Sequence, residues 1–168
     1  LTGAFLLGQL EKIDFILRTL REKKARLKEA IIEGLGAQAD RLSFRKINDP
    51  GECATLLTMI FPTRDEALRV AGELSTKTLD QSGWHVYNNM EHLVAYRDPD
   101  GSPVIRRNEL PKTDDILSRS VNLSVGVVDT GIGAGVGINI RSTEDEISAM
   151  ARRVVGALRR AFTSAPMK

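Results

Sequence analysis

Cysteine is almost absent from this chain. Among 168 residues there is one, Cys53, so no disulfide can form within the chain. It sits in an apolar stretch, and the expectation is a buried, unreactive thiol. Long apolar runs are missing as well. Nothing approaches the roughly 18 residues that a membrane-spanning helix needs. No basic segment leads into an apolar one in the manner of a signal peptide. Charge of one sign is scarce: 24 Lys and Arg against 22 Asp and Glu leave +2, which gives no argument for nucleic acid or for an anionic membrane. Aromatic residues make up only 5%, which also weighs against a nucleic-acid partner. A methionine start is missing too. Leu1-Thr2-Gly3-Ala4-Phe5 opens directly into an amphipathic pattern, and the expectation is a piece of a longer chain.

What is present is ordinary for a soluble, cytoplasmic protein: 42% hydrophobic and 27% charged residues. The length suits a single domain, 1–168, and a chain of roughly 150 residues hides about 70% of its unfolded surface. Three parts are expected: a long helix over 1–35, a sheet-and-helix body over 40–162, and a tail over 163–168. Leu6, Leu7, Leu10, Ile13, Leu17, Leu20, Leu27 and Ile31 recur near the 3.6-residue period, with no proline among them. They predict one helix from Thr2 to Gly34, about 45–50 Å long. Its basic middle, Arg18, Arg21, Lys23, Lys24, Arg26 and Lys28, reads as a solvated face rather than a phosphate or RNA surface.

Leu42 to Ile47 alternates apolar and polar, Asn48-Asp49-Pro50-Gly51 is turn chemistry, and Thr55 to Phe61 reads as a buried strand. Together they predict a hairpin. Thr63-Arg64-Asp65-Glu66 and Thr143-Glu144-Asp145-Glu146 are capping boxes, in which hydroxyl and carboxylate each satisfy a free backbone N–H. The first opens a helix to about Leu79, and the second opens the last helix. Asn122 to Val125 reads as a further strand. Helix, strand, strand, helix, loop, strand, helix gives an α/β (α+β) class: a small sheet covered by helices behind a long N-terminal helix.

No catalytic set stands out. The glycine-rich run Gly131 to Gly137 misses the dinucleotide spacing, because Val136 and Ile138 fall where the third glycine belongs, and it has no P-loop Lys-Ser/Thr. It reads as a flexible loop or lid. His85 and His92 are seven apart and match no metal-ligand spacing, so no metal is expected. The densest patch of polar and aromatic groups is Trp84, His85, Tyr87, Asn88, Asn89 and His92. Aromatic walls and amide donors suit a sugar-like ligand. Equally, the loop can pack Trp84 and Tyr87 on the core and bind nothing.

Gly3-Ala4-Phe5-Leu6-Leu7-Gly8-Gln9-Leu10-Glu11-Lys12-Ile13-Asp14 resembles the G-A-x-x-x-x-Q-L-x-x-L-D helix of the DegT/DnrJ/StrS sugar aminotransferases. The later order is similar to that family's small domain: the strand pair, the helix after Phe61-Pro62-Thr63, the Tyr/His loop, the Leu110-Pro111 approach to another strand, and the closing helix. The resemblance implies the C-terminal small domain of the type I, aspartate-aminotransferase-like fold, with 1–35 as an interdomain helix.

It also implies a pyridoxal 5'-phosphate (PLP) enzyme, a homodimer, moving an amino group from a donor such as glutamate to a keto or aldehyde sugar or nucleotide sugar. The Schiff-base lysine and most of the cofactor site would lie outside this chain, which alone would be inactive. The family's His-Tyr-Pro-x-x-x-His loop is kept here as Tyr87 and His92, with Val86 and Asn88 replacing the first His and the Pro. The Trp84-x-Val86-(x)-Asn88-Asn89 character, with Leu110 to Ser120, is most similar to the branch that aminates the 8-position of 3-deoxy-octulosonate sugars, and there Arg119 becomes a candidate anion-binding side chain beside a structural ion-pair role. The alternative is a stand-alone ligand-binding or regulatory α/β module.

Overall fold

A computed structural model describes residues 2–83, 86–126, 134–135 and 137–163. The chain opens with two helices in series, α1 (Thr2–Leu10) and α2 (Ile13–Leu35). The single helix expected over Thr2 to Gly34 is therefore interrupted at Glu11–Lys12. There the Lys12 amide donates to Gln9 O at 3.0 Å, a tightened i→i−3 bond, before the α-ladder resumes with Ile16 N to Lys12 O. Neither proline nor glycine marks the break, so the periodicity ran across it.

α2 is about 35 Å long. It buries Leu20, Lys24, Leu27, Ile31 and Leu35, spaced by three and four. This stripe packs against α6 (Glu144–Thr163), whose buried face includes Ile147, Ala151, Val154, Leu158 and Phe162. Gly34 lets the two helices approach closely: a Cβ there would lie 2.8 Å from Val155 Cγ2.

The sheet runs in the order β1 (Ser43–Phe44), β2 (Leu56–Ile60), β3 (Ser120–Ser124), β4 (Ala134–Gly135). The first three strands are antiparallel, and β4 adds a short parallel edge. The expected hairpin exists, but its first strand is shorter than the alternation over 42–47 suggested. Lys46 and Ile47 are exposed, and the chain there has left the ladder. The register pairs Leu57 with Leu123 and Met59 with Val121 on the core face. The opposite face of β3 carries Ser120, Asn122 and Ser124, all buried. Thr58 donates to Asn122 Oδ1 at 2.8 Å, and Ser120 donates to Ile116 O at 2.6 Å.

α3 (Arg64–Glu73) turns Ala67, Val70 and Ala71 into the same apolar cluster as α2, the sheet and α6. It ends at Glu73, earlier than the expected Leu79. The two capping boxes differ. At α6, Glu146 N donates to Thr143 Oγ1 and Thr143 N donates to Glu146 Oε2, a complete reciprocal pair. At α3, only the Thr63 hydroxyl cap forms. The Glu66 carboxylate is buried and turns instead to Arg41. Arg41 in turn lies over the Phe162 ring and donates to Phe162 O at 3.0 Å. An ion pair whose carboxylate side is buried takes the place of the helix-end contact.

Two further expectations change. Cys53 is exposed rather than buried; its neighbour Glu52 is the residue that turns inward, onto Lys24 of α2. The basic face of α2 is not merely solvated. Lys24 donates to both Glu52 oxygens at 2.9 and 2.6 Å, Arg21 donates to Glu52 O, and Lys23 donates to Ser142 O. These cations tie loops down onto the helix. Among the described residues, no helix is long and apolar enough to cross a membrane.

Candidate substrate-recognition site

Between α3 and β3 the chain makes an excursion held mainly by hydrogen bonds. Tyr87–Asn89 form one 3₁₀ turn, followed by the single-turn α4 (Glu91–Val94) and by α5 (Pro111–Ser118). α5 falls where the sequence suggested only an approach to a strand. Pro111 stands at its start, where its missing N–H costs nothing, and Asp114 lies in its first turn. That pair is the helix-start signal the pattern carried.

Four of the candidate residues are described here. Tyr87 donates its hydroxyl to Asp114 Oδ2 at 2.8 Å and accepts from Leu110 N at 3.1 Å. Asn88 donates to Asp114 Oδ1 at 3.0 Å and accepts from Asn108 N at 2.8 Å. Arg107 donates to Asn88 O and to Glu91 Oε1, the latter at 2.5 Å. Asn89 points the other way. It donates to Asp80 O and Gly83 O, both at 3.1 Å, closing the turn onto the segment after α3. His92 is exposed on α4. Trp84 and His85 lie outside the described residues, as does most of the glycine-rich run. Of the described part of that run, Ala134–Gly135 form β4 rather than loop, while Gly137 lies outside any strand.

Tyr87 and Asn88 thus come together, but on each other's partners. Their polar atoms are engaged by Asp114, Asn108 and the Leu110 amide. Sequence reasoning missed these three, since nothing in the spacing links residue 87 to residue 114. Tyr87 is half-buried, while Asn89, Glu91 and His92 present the outer surface.

Arg119 is elsewhere, past the end of α5. Its Nη2 and Nε donate to Asp115 at 2.6 and 3.1 Å, and its Nη1 donates to Phe61 O at 2.7 Å. The hydrogen bond from Arg119 holds the Asp115 carboxyl below the usual range, and the same bond raises the guanidinium. With its three nitrogens occupied, Arg119 is a structural tie between α5 and the end of β2. It lines a small pocket of about 170 Å³ with Asp40, Arg41 and Pro62.

The described residues do not fit PLP. The one buried lysine among them, Lys24, is spent on Glu52. Nor do three His, Cys, Asp or Glu side chains come together to hold a metal among the described residues.

A separate apolar concavity lies along α1 and the start of α2. It is an open groove of about 730 Å³ bordered by Leu6, Leu10, Ile13, Leu17, Cys53 and Gly126. On the same helices Phe5, Leu6, Leu7 and Leu10 are each more than half exposed. No protein-family profile matches the chain.

Proposed function

We propose that this chain is part of a PLP-dependent aminotransferase of the DegT/DnrJ/StrS type. The enzyme moves an amino group, from a donor such as glutamate, to a keto or aldehyde sugar. Within that family the nearest branch is the one acting at the 8-position of 3-deoxy-octulosonate sugars. The observation that carries the reading is the uncovered α1. The Gly3–Asp14 motif that resembles the family falls on α1 and the start of α2, and its large apolar side chains Phe5, Leu6, Leu7, Leu10 and Ile13 remain largely exposed. A stand-alone module would cover that face with its own core. A piece of a larger enzyme leaves it for another body to cover.

In this reading the cofactor supplies the electron-accepting ring chemistry and is held by residues outside the chain. This part contributes the recognition turn at 86–92 and a docking helix. The enzyme is a cytoplasmic homodimer, and the chain alone is inactive.

The test uses the complete gene product containing this sequence. Borohydride reduction in the presence of PLP should label one lysine, outside the stretch described here, and glutamate should be consumed as an amino sugar forms. No labelled lysine, or a labelled lysine among Lys12 to Lys168, would overturn the reading.

A further inference from the structure

We propose that Asp114 is the positioning residue of the recognition turn, a role that rests on reading residues 86–92 as the part facing the sugar. The two consecutive carboxylates of α5 point to different neighbours. Asp114 accepts from Tyr87 at 2.8 Å and from Asn88 at 3.0 Å. Asp115 accepts from Arg119, whose other arm holds Phe61 O at the end of β2. One short helix therefore fixes the turn on one side and the sheet on the other.

Asp114 suits the task chemically. An ionised carboxylate accepts at both oxygens, and bonds to a charged acceptor are the stronger kind. Its two donors are adjacent in sequence, so both the side chain of Tyr87 and that of its neighbour are set by one group. Tyr87 passes the constraint on: its oxygen accepts from the Leu110 amide at 3.1 Å, immediately before Pro111 starts α5. Asn88 does the same through Asn108 N at 2.8 Å. The result is a closed clasp, in which Tyr87 and Asn88 are themselves positioned. Ligand contact falls to the groups the clasp presents outward, His92 among them.

The first arm of the test reads the clasp itself, by amide hydrogen exchange on this chain. In Asp114→Ala the amides of Asn108 and Leu110, neither of which bonds Asp114, should exchange about tenfold faster, while Val121 and Leu123 in β3 keep their rates. If Asp114→Ala does not fold, Tyr87→Phe and Asp114→Asn carry this arm. Tyr87→Phe should free Leu110 and leave Asn108 protected. Unchanged exchange at Asn108 and Leu110 overturns the proposal.

The second arm uses the complete enzyme. Asp114→Ala should lower kcat/KM for the sugar about tenfold, the loss expected when a half-buried charged acceptor of two hydrogen bonds is removed. kcat/KM for glutamate should hold within twofold. Combining it with Tyr87→Phe should add little to the sugar effect, because the two act as a unit. Equal losses for both substrates, or full additivity, overturn the positioning role. A wild-type enzyme that aminates no sugar refutes the aminotransferase reading instead, and the exchange arm still decides whether the clasp exists.

Discussion

α1 and α6 both carry large apolar side chains, and the molecule treats them in opposite ways. α6 buries Ile147, Val154, Leu158 and Phe162 against α2 and α3. α1 leaves Phe5, Leu6, Leu7 and Leu10 facing outward. Helical periodicity says that a face wants covering, and it is silent on what will cover it. α6 differs in having charge on its outer side, with acidic residues in its first turn and arginines along its length. α1 has no charged residue from Thr2 to Leu10, so neither of its faces is built for water.

The contrast is broken most forcefully at a matched pair of leucines. Leu158→Ala should cost about 2–5 kcal/mol, because the side chain is fully buried and the cavity cannot collapse. Leu10→Ala should stay within about 0.5 kcal/mol of the parent chain in urea unfolding, as an exposed substitution does. Equal losses would mean that α1 is packed in solution.

The α2–α6 contact can be probed next with two glycines. Gly34→Ala meets Val155 Cγ2 at 2.8 Å and should destabilise by about 1–2 kcal/mol, overpacking against a stiff β-branched side chain. Gly72→Ala in α3 meets nothing within 4 Å and should stabilise by about 0.5–1 kcal/mol. Thermal midpoints moving in the same direction would refute the close approach of α2 and α6.

Thr143→Ala removes the hydroxyl half of the cap on α6 and should cost about 1 kcal/mol. Glu146→Gln should cost less, since an amide oxygen can still accept from Thr143 N.

The smallest effect belongs to Asp115. Its pKa is depressed in the folded protein by the bond from Arg119, so this contribution is present above the unfolded carboxylate pKa of about 4 and is lost as pH falls through the lower folded value. A Tm profile taken from pH 6 down to pH 2 should fall less steeply for Asp115→Asn than for the parent. Indistinguishable slopes would mean that this exposed pair contributes nothing.

Much of the fold was legible in the sequence because local chemistry and burial agreed. The Thr143–Glu146 box, the stripe on α6 and the β2 and β3 strands all carried their own signals. The misses occurred where a tertiary partner decided the outcome. Glu66 left its cap for Arg41, which stands 25 residues earlier at the end of the 3₁₀ turn after α2. Cys53 lies among apolar neighbours in sequence but on the outside in space. Lys24 looked like one more surface cation until Glu52 folded over it. The candidate site was half legible. Composition marked residues 84–92 as unusual, yet the groups that hold Tyr87 and Asn88 are about 20 or more residues away. No periodicity links them.

The strand order carries a kinetic consequence. β2 cannot complete its pairing until β3 exists, since Leu57 bonds opposite Leu123, and α2 cannot bury Leu27 and Ile31 until α6 arrives still later. Contacts this far apart in sequence close slowly. During synthesis a 23-residue helix with an apolar stripe waits for more than a hundred residues before its partner is made. A nascent chain of this kind invites chaperone capture and is prone to aggregation when expressed quickly, and slowing translation or lowering the temperature should raise its soluble yield more than strengthening any single contact.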